Sequence, residues 1–305
     1  MAILGAHMSI AGGYFKAVQA AHRCGCDCVQ LFTKNNNHWR ANEITQEDAT
    51  RFRTALKELR ISHPIVHDSY LINLASPDRQ LWKKSVDALV AELMRAEQLG
   101  IPYVVAHPGA YTTSSEAAGL KRIVRALDEL NRQTRTLTAR CLLETTAGQG
   151  TNIGWRFEHL ADILARVRDP DRLGVCFDTC HVFAAGYPMA TEKQYKATMR
   201  EFNATVGVRQ IRAFHLNDSK KPRGSRVDRH AKIGGGRMGL RPFKWLLADR
   251  RFRRIPMYLE TPKGTEKDEQ LDVINLRTLR AMIPRKPQKR IRTRRLHVDR
   301  SRIWG

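Results

Sequence analysis

Six strand-like apolar runs in this chain end on a side chain that can bind a metal, and this restricts the possible folds more than any other feature. The runs are Pro-Ile-Val-His67, Tyr-Val-Val-Ala-His107, Cys-Leu-Leu-Glu144, Leu-Gly-Val-Cys-Phe-Asp178, Ile-Arg-Ala-Phe-His215 and Met-Tyr-Leu-Glu260. Successive end residues lie 40, 37, 34, 37 and 45 positions apart, about the length of one strand–helix unit. In a barrel of parallel strands every C-terminal end opens on the same face, so the six side chains would converge there. Three more candidates lie close by in sequence: His181, three residues after Asp178, and the pair Asp228 and His230. The set is five His, two Asp and two Glu, more ligands than one ion can hold.

Two further runs, Ile3 to Ala6 and Cys28 to Phe32, bring the strand count to eight. Between the runs, apolar residues recur every three or four positions, as in an amphipathic helix. The clearest case runs from Trp82 to Leu99, and Gly100 and Pro102 then stop it. Leu120 to Leu130, Phe157 to Val167, Tyr195 to Val206 and Phe243 to Leu247 follow the same rule. No Gly-x-Gly-x-x-Gly turn follows the first strand, which weighs against an open dinucleotide-binding sheet. The fold expected is an α/β protein with a single (β/α)8 TIM barrel and long loops on its C-terminal face, a size such barrels commonly reach in one domain.

The formal charge of +23 points to a polyanionic partner, nucleic acid first and an anionic membrane surface second. Part of it lies in the loop from Asn217 to Gly239, which carries Lys220, Lys221, Arg223, Arg226, Arg229, Lys232 and Arg237. Gly234, Gly235 and Gly236 in that loop would allow a close approach to a phosphate backbone. From residue 284 onward the character changes. Nine Lys or Arg stand against one Asp, which leaves +15 on the rest of the chain. Two units follow: a barrel domain over 1–283 and a basic extension over 284–305, expected to be disordered alone.

Six cysteines do not make a disulfide framework. Cys28, Cys141 and Cys176 sit inside apolar runs, where a thiol behaves as a small hydrophobe. Cys24 and Cys26 precede the second run with no second pair at zinc spacing, so a separate zinc knuckle is not expected. The first residues enter a strand without a charged-then-apolar leader, and no apolar run approaches the ~18 residues of a membrane span. A cytoplasmic protein with no membrane partner is expected.

Imidazole and carboxylate without cysteine suit zinc, manganese or iron. A carboxylate can bridge two ions, and closely spaced ions generate hydroxide near neutral pH and stabilise a leaving oxygen at a phosphodiester. Sugar isomerases use similar barrels with one or two metals, but the charge and the basic loop argue against them. A non-enzymatic DNA-binding barrel would be expected to have lost ligands, and none is lost.

Longer motifs carry a specific resemblance. Gly5-Ala-His-Met-Ser-Ile-Ala-Gly-Gly13, Leu31-Phe-Thr-Lys-Asn35, His67-Asp-Ser-Tyr-Leu-Ile-Asn-Leu74, His107-Pro-Gly109, Glu144-Thr-Thr-Ala-Gly-Gln-Gly150, Gly174 to Tyr187, His215-Leu-Asn-Asp-Ser-Lys220 and Gly224 to His230 resemble endonuclease IV. That is the apurinic/apyrimidinic (AP) endonuclease family, with a trinuclear zinc site in a TIM barrel. The match runs from Ile3 to about Glu260.

The resemblance implies three zinc ions. One would be held by His67, His107 and Glu144, a second by Glu144, Asp178, His215 and Glu260, and a third by His181, Asp228 and His230. It makes Glu144 the bridging, catalytic carboxylate. It implies hydrolysis of the phosphodiester 5′ to an abasic site in double-stranded DNA, leaving a 3′-hydroxyl and a 5′ deoxyribose phosphate, with cleaning of blocked 3′ ends. Tyr70 and Leu71 match family positions that insert at the lesion, and Arg229 is expected on the DNA. A monomer is expected. Asn37 stands where family members can carry an arginine that reaches into DNA, which implies either weaker lesion recognition or a substitute in Arg40 or His38. The basic extension lies beyond the family's usual barrel end.

Overall fold

The computed structural model describes residues 2–284; the expected basic extension, but for its first residue, lies outside them. Eight parallel strands close a barrel: β1 Ile3–Met8, β2 Cys28–Leu31, β3 Ser62–His67, β4 Tyr103–Ala106, β5 Arg140–Glu144, β6 Leu173–Asp178, β7 Ile211–His215 and β8 Pro256–Leu259. Their order around the ring is β1-β8-β7-β6-β5-β4-β3-β2, with β1 paired to both β2 and β8. This is the expected (β/α)8 barrel.

The helices follow the apolar periodicity and stop where their caps dictate. Helix α3, Arg79–Leu99, starts on Asp78, whose carboxylate accepts from the amides of Gln80 and Leu81, and ends on the left-handed Gly100. Helices α4 (Glu116–Gln133), α5 (Phe157–Arg166), α7 (Glu192–Thr205) and α8 (Arg241–Ala248) cover the other expected segments. Four further helices, α1 (Tyr14–Arg23), α2 (Gln46–Glu58), α6 (Thr179–Ala185) and α9 (Leu271–Met282), complete the shell among the described residues. The outer face of the strands packs against these helices in one large apolar layer that includes Phe52, Leu89, Leu127, Leu160, Phe202 and Leu246.

Inside the barrel a second, smaller cluster packs on itself: Cys28, Ile65, Val105, Leu142, Cys176, Ala213 and Tyr258. Side chains alternate along a strand, so the next inward residue lies two positions on. Adding two to each member gives Gln30, His67, His107, Glu144, Asp178, His215 and Glu260. The apolar cluster is thus the floor, and these seven form the layer above it at the C-terminal end. Gly5 belongs to the floor by the same parity. A Cβ there would lie 1.9 Å from the carbonyl oxygen of Cys28, so only glycine fits. All six cysteines are buried free thiols.

Candidate metal centre

Strand parity aims six of the nine expected ligands at the barrel axis, and two local devices add the other three. Asp178 caps α6, its carboxylate accepting from the amide of His181 at 2.7 Å, so His181 is placed one turn above the ring. A two-residue ribbon pairs Asp218–Ser219 with His230–Ala231, which folds the long loop back over the barrel mouth. The amide of Asp228 donates to Gln149 Oε1 at 3.1 Å, and Arg226 donates to the carbonyl of Gly148 while stacking over Trp155. Asp228 and His230 therefore return to the centre despite lying in a loop.

The structure brings all nine expected residues together. His67, His107 and Glu144 offer ligand atoms to one point, and Glu144, Asp178, His215 and Glu260 to a second. Asp178, His181 and His230 surround a third, with Asp228 set between the two imidazoles. Glu144 Oε2 lies 3.2 Å from Nε2 of both His67 and His107, while Oε1 lies 2.9 Å from Nδ1 of His215. One carboxylate thus faces two groups with different oxygens, the arrangement a bridging ligand needs.

The donor set fits metal ions on an observation of its own. Nε2 of His181 lies 3.1 Å from Asp228 Oδ2, and Nε2 of His230 lies 3.2 Å from Asp228 Oδ1. Neither contact has hydrogen-bond geometry, and both nitrogens are buried without a partner. Buried polar atoms are rarely left so. The opposite ring nitrogens are engaged: Nδ1 of His67, His181 and His230 donates to the carbonyls of Asp68, Thr145 and Glu260. That leaves the Nε2 lone pairs of His181 and His230 for the centre, as the outer partners of metal-bound histidines do.

The charges of the cluster are tightly coupled to one another. Burial alone would push the Glu144 carboxyl up, but the facing imidazoles of His215 and His107 hold it well below the usual carboxylate range. Burial opposes charge on His67 too, yet the hydrogen bond and charge of Glu144 push it up to about 10. Asp178, fully enclosed, is raised by burial.

Two polar residues outside the expected set hold the ring in place. Gln30 bridges His215 and Glu260. Asn217 donates to Asp178 Oδ2 at 2.6 Å and accepts the amide of Glu260 at 2.9 Å. Gln30 was within reach of sequence reasoning through its inward parity on β2. Asn217 follows the end of β7 and carries no comparable signal.

Around the centre, Tyr70 is 65% exposed and stands edge-on to Phe32, 5.8 Å between ring centroids. Leu71 beside it is half-buried, and Arg229 is exposed. Asn37, His38 and Arg40 are exposed on the neighbouring loop, which Ser69 ties down through a 2.6 Å bond to the carbonyl of Asn36. The Gly236 amide donates to Asp218 Oδ2 at 2.9 Å and the Gly235 amide to the carbonyl of Lys232, so neither is free for a phosphate. A Cβ at Gly236 would strike the Asp218 carboxylate at 2.4 Å, so the glycine serves loop packing. Cys180 also lies within ligand distance of Asp228 and His230, but burial pushes its thiol up to about 12. No candidate metal group among the described residues includes Cys24, Cys26 or Cys28.

Known proteins share this barrel along most of its length. The family model for the xylose isomerase-like TIM barrel of AP endonucleases matches residues 18–282. A relative from Citrifermentans bemidjiense named probable endonuclease 4 is 46% identical, over 93% of this chain and 99% of its own length. The chain belongs to the endonuclease IV family. The crystal structure of endonuclease IV from Thermus thermophilus superposes with a TM-score of 0.81 at 35% identity, over 92% of this chain and 98% of that one. A D-tagatose 3-epimerase-like protein superposes with a TM-score of 0.70 at 16% identity, over 91% and 96% of the two chains. That likeness shows the shared barrel alone. For this endonuclease IV family member, no helix among the described residues is long and apolar enough to cross a membrane.

Proposed function

We propose that this chain is a zinc-dependent AP endonuclease of base excision repair. It hydrolyses the phosphodiester 5′ to an abasic site in double-stranded DNA, leaves a 3′-hydroxyl and a 5′ deoxyribose phosphate, and cleans blocked 3′ ends. The observation that carries this is the convergence of nine residues, from six strand ends, helix α6 and the long loop after β7, into three ligand groups, the first two sharing Glu144. Three zinc ions fit: His67, His107 and Glu144 hold one, Glu144, Asp178, His215 and Glu260 a second, and His181, Asp228 and His230 a third. Bound there, zinc supplies hydroxide from water near neutral pH and charge stabilisation at the leaving oxygen.

The chain's own residues do the rest. Glu144 fixes the spacing of the first two groups with its two oxygens. Gln30 and Asn217 hold His215, Asp178 and Glu260 in place. Tyr70 and Leu71 wedge into the duplex at the lesion, where the missing base makes extrusion cheap. Arg229, with the exposed Lys220, Lys221, Arg223 and Arg237, neutralises phosphates along the strand. Residues 1–283 form the catalytic unit, 284–305 an electrostatic extension. The protein works as a monomer in the cytoplasm, on the nucleoid if bacterial.

Incision of a duplex oligonucleotide with one abasic site, with and without chelator, tests this reading. Cleavage on the 5′ side, abolished by chelator and restored by zinc, is expected. Cleavage that survives complete metal removal, or none on abasic duplex by the metal-replete protein, contradicts it.

A further inference from the structure

His215 is oriented opposite to its neighbours. His67, His181 and His230 turn Nδ1 to a backbone carbonyl and Nε2 to the centre. His215 turns Nδ1 to the centre, 2.9 Å from Glu144 Oε1 and 3.1 Å from Glu260 Oε2. Its Nε2 points away, 2.7 Å from Gln30 Oε1.

The amide orientation of Gln30 is forced. Glu260 Oε1 lies 2.5 Å from Nε2 of Gln30 and, as a carboxylate, can only accept. A flipped amide would set oxygen against oxygen. The nitrogen therefore faces Glu260, and its second hydrogen reaches His7 Nδ1 at 3.0 Å. Gln30 Oε1 is then left as an acceptor, so His215 Nε2 must carry the hydrogen between them. If the ring is neutral, His215 Nδ1 holds a bare lone pair aimed at two carboxylate oxygens. Acceptors facing acceptors at this distance repel each other unless a cation stands between them.

We propose that Gln30 is a positioning residue. It selects the tautomer of His215 that presents Nδ1 to the centre, and with its amide hydrogen it pins Glu260 toward the same point. Gln30 touches neither the reacting atoms nor the ion. It is fully buried on β2, and its oxygen and both amide hydrogens are used by His215, Glu260 and His7. The proposal rests on reading the cluster as a metal centre.

The test uses the full chain with Gln30→Leu and Gln30→Glu. The leucine removes both the donor to Glu260 and the acceptor for His215; the glutamate keeps the acceptor and replaces the amide donor by a carboxyl that faces Glu260. Zinc affinity by chelator competition should fall ~10–100-fold in each folded variant, the range for losing an outer partner of a metal ligand. With histidine labelled by nitrogen-15, the Nε2–H tautomer of His215 should persist in the wild type and in Gln30→Glu, and become mixed in Gln30→Leu. Wild-type zinc affinity in either folded variant overturns the proposal, as does an unchanged His215 tautomer in Gln30→Leu. If the wild type takes up no zinc, the metal reading itself fails, a result distinct from these.

Discussion

Glu144 is the residue on which the centre turns, because its two oxygens face different ligand groups. His230 serves one edge, beside Asp228 and Asp178. Losing even an outer partner of a metal ligand costs ~10–100-fold, so His230→Ala should lose at least that much abasic incision and Glu144→Ala clearly more. Comparable residual rates in steady-state assays would count against Glu144 as the bridge. Lesion selectivity is a separate matter, since Tyr70 stands exposed beside Leu71 and belongs to none of the ligand groups. Replacing both with Ala should weaken binding to abasic duplex about tenfold or more, as expected for losing stacking of ~1–3 kcal/mol per base. Affinity for undamaged duplex should stay nearly unchanged in a titration at fixed salt; if the two fall together, Tyr70 and Leu71 are not the wedge.

The strands were the most legible elements, for a geometric reason. A parallel barrel strand is buried on both faces, so it reads as an apolar run, and its C-terminal end is where polarity returns. His67, Glu144, Asp178 and His215 close their strands, while His107 and Glu260 follow theirs by one residue. Parity does more than this pattern does. The floor residues Cys28, Ile65, Val105, Leu142, Cys176, Ala213 and Tyr258 predict every inward position above them, Gln30 included. Gln30, an amide, carries no metal-binding signal of its own. Other features depend on contacts through space. Helix α6 is hidden inside the ligand motif that it positions, and the amide of Gly236 is taken by Asp218, eighteen residues away. At this scale Gly5→Ala is the sharpest probe. Its methyl would meet the Cys28 carbonyl, and such overpacking costs about 1–3 kcal/mol or more. Urea denaturation should show that loss, and wild-type stability would mean the β1–β2 contact relaxes freely.

Across the molecule, the charge of the extension lies apart in sequence from the ligand candidates. The nine ligand candidates end at Glu260, whereas nine of the basic residues follow Pro284. A chain cut after Ile283 should keep its metal and its chemical step. It should bind duplex DNA more weakly at low salt, with a shallower fall of log affinity against log salt, because fewer counterions are released. An unaltered slope would show that the extension does not touch DNA, leaving it a protein-interaction segment or an inert extension.

Metal content bears most directly on the whole account, because the barrel parity, the α6 cap and the folded-back loop all serve one cluster. Elemental analysis of the purified, active full chain should find close to three zinc equivalents, and their removal by chelator should abolish abasic incision in step with the loss of metal. One equivalent or none in fully active protein would contradict the three-group centre.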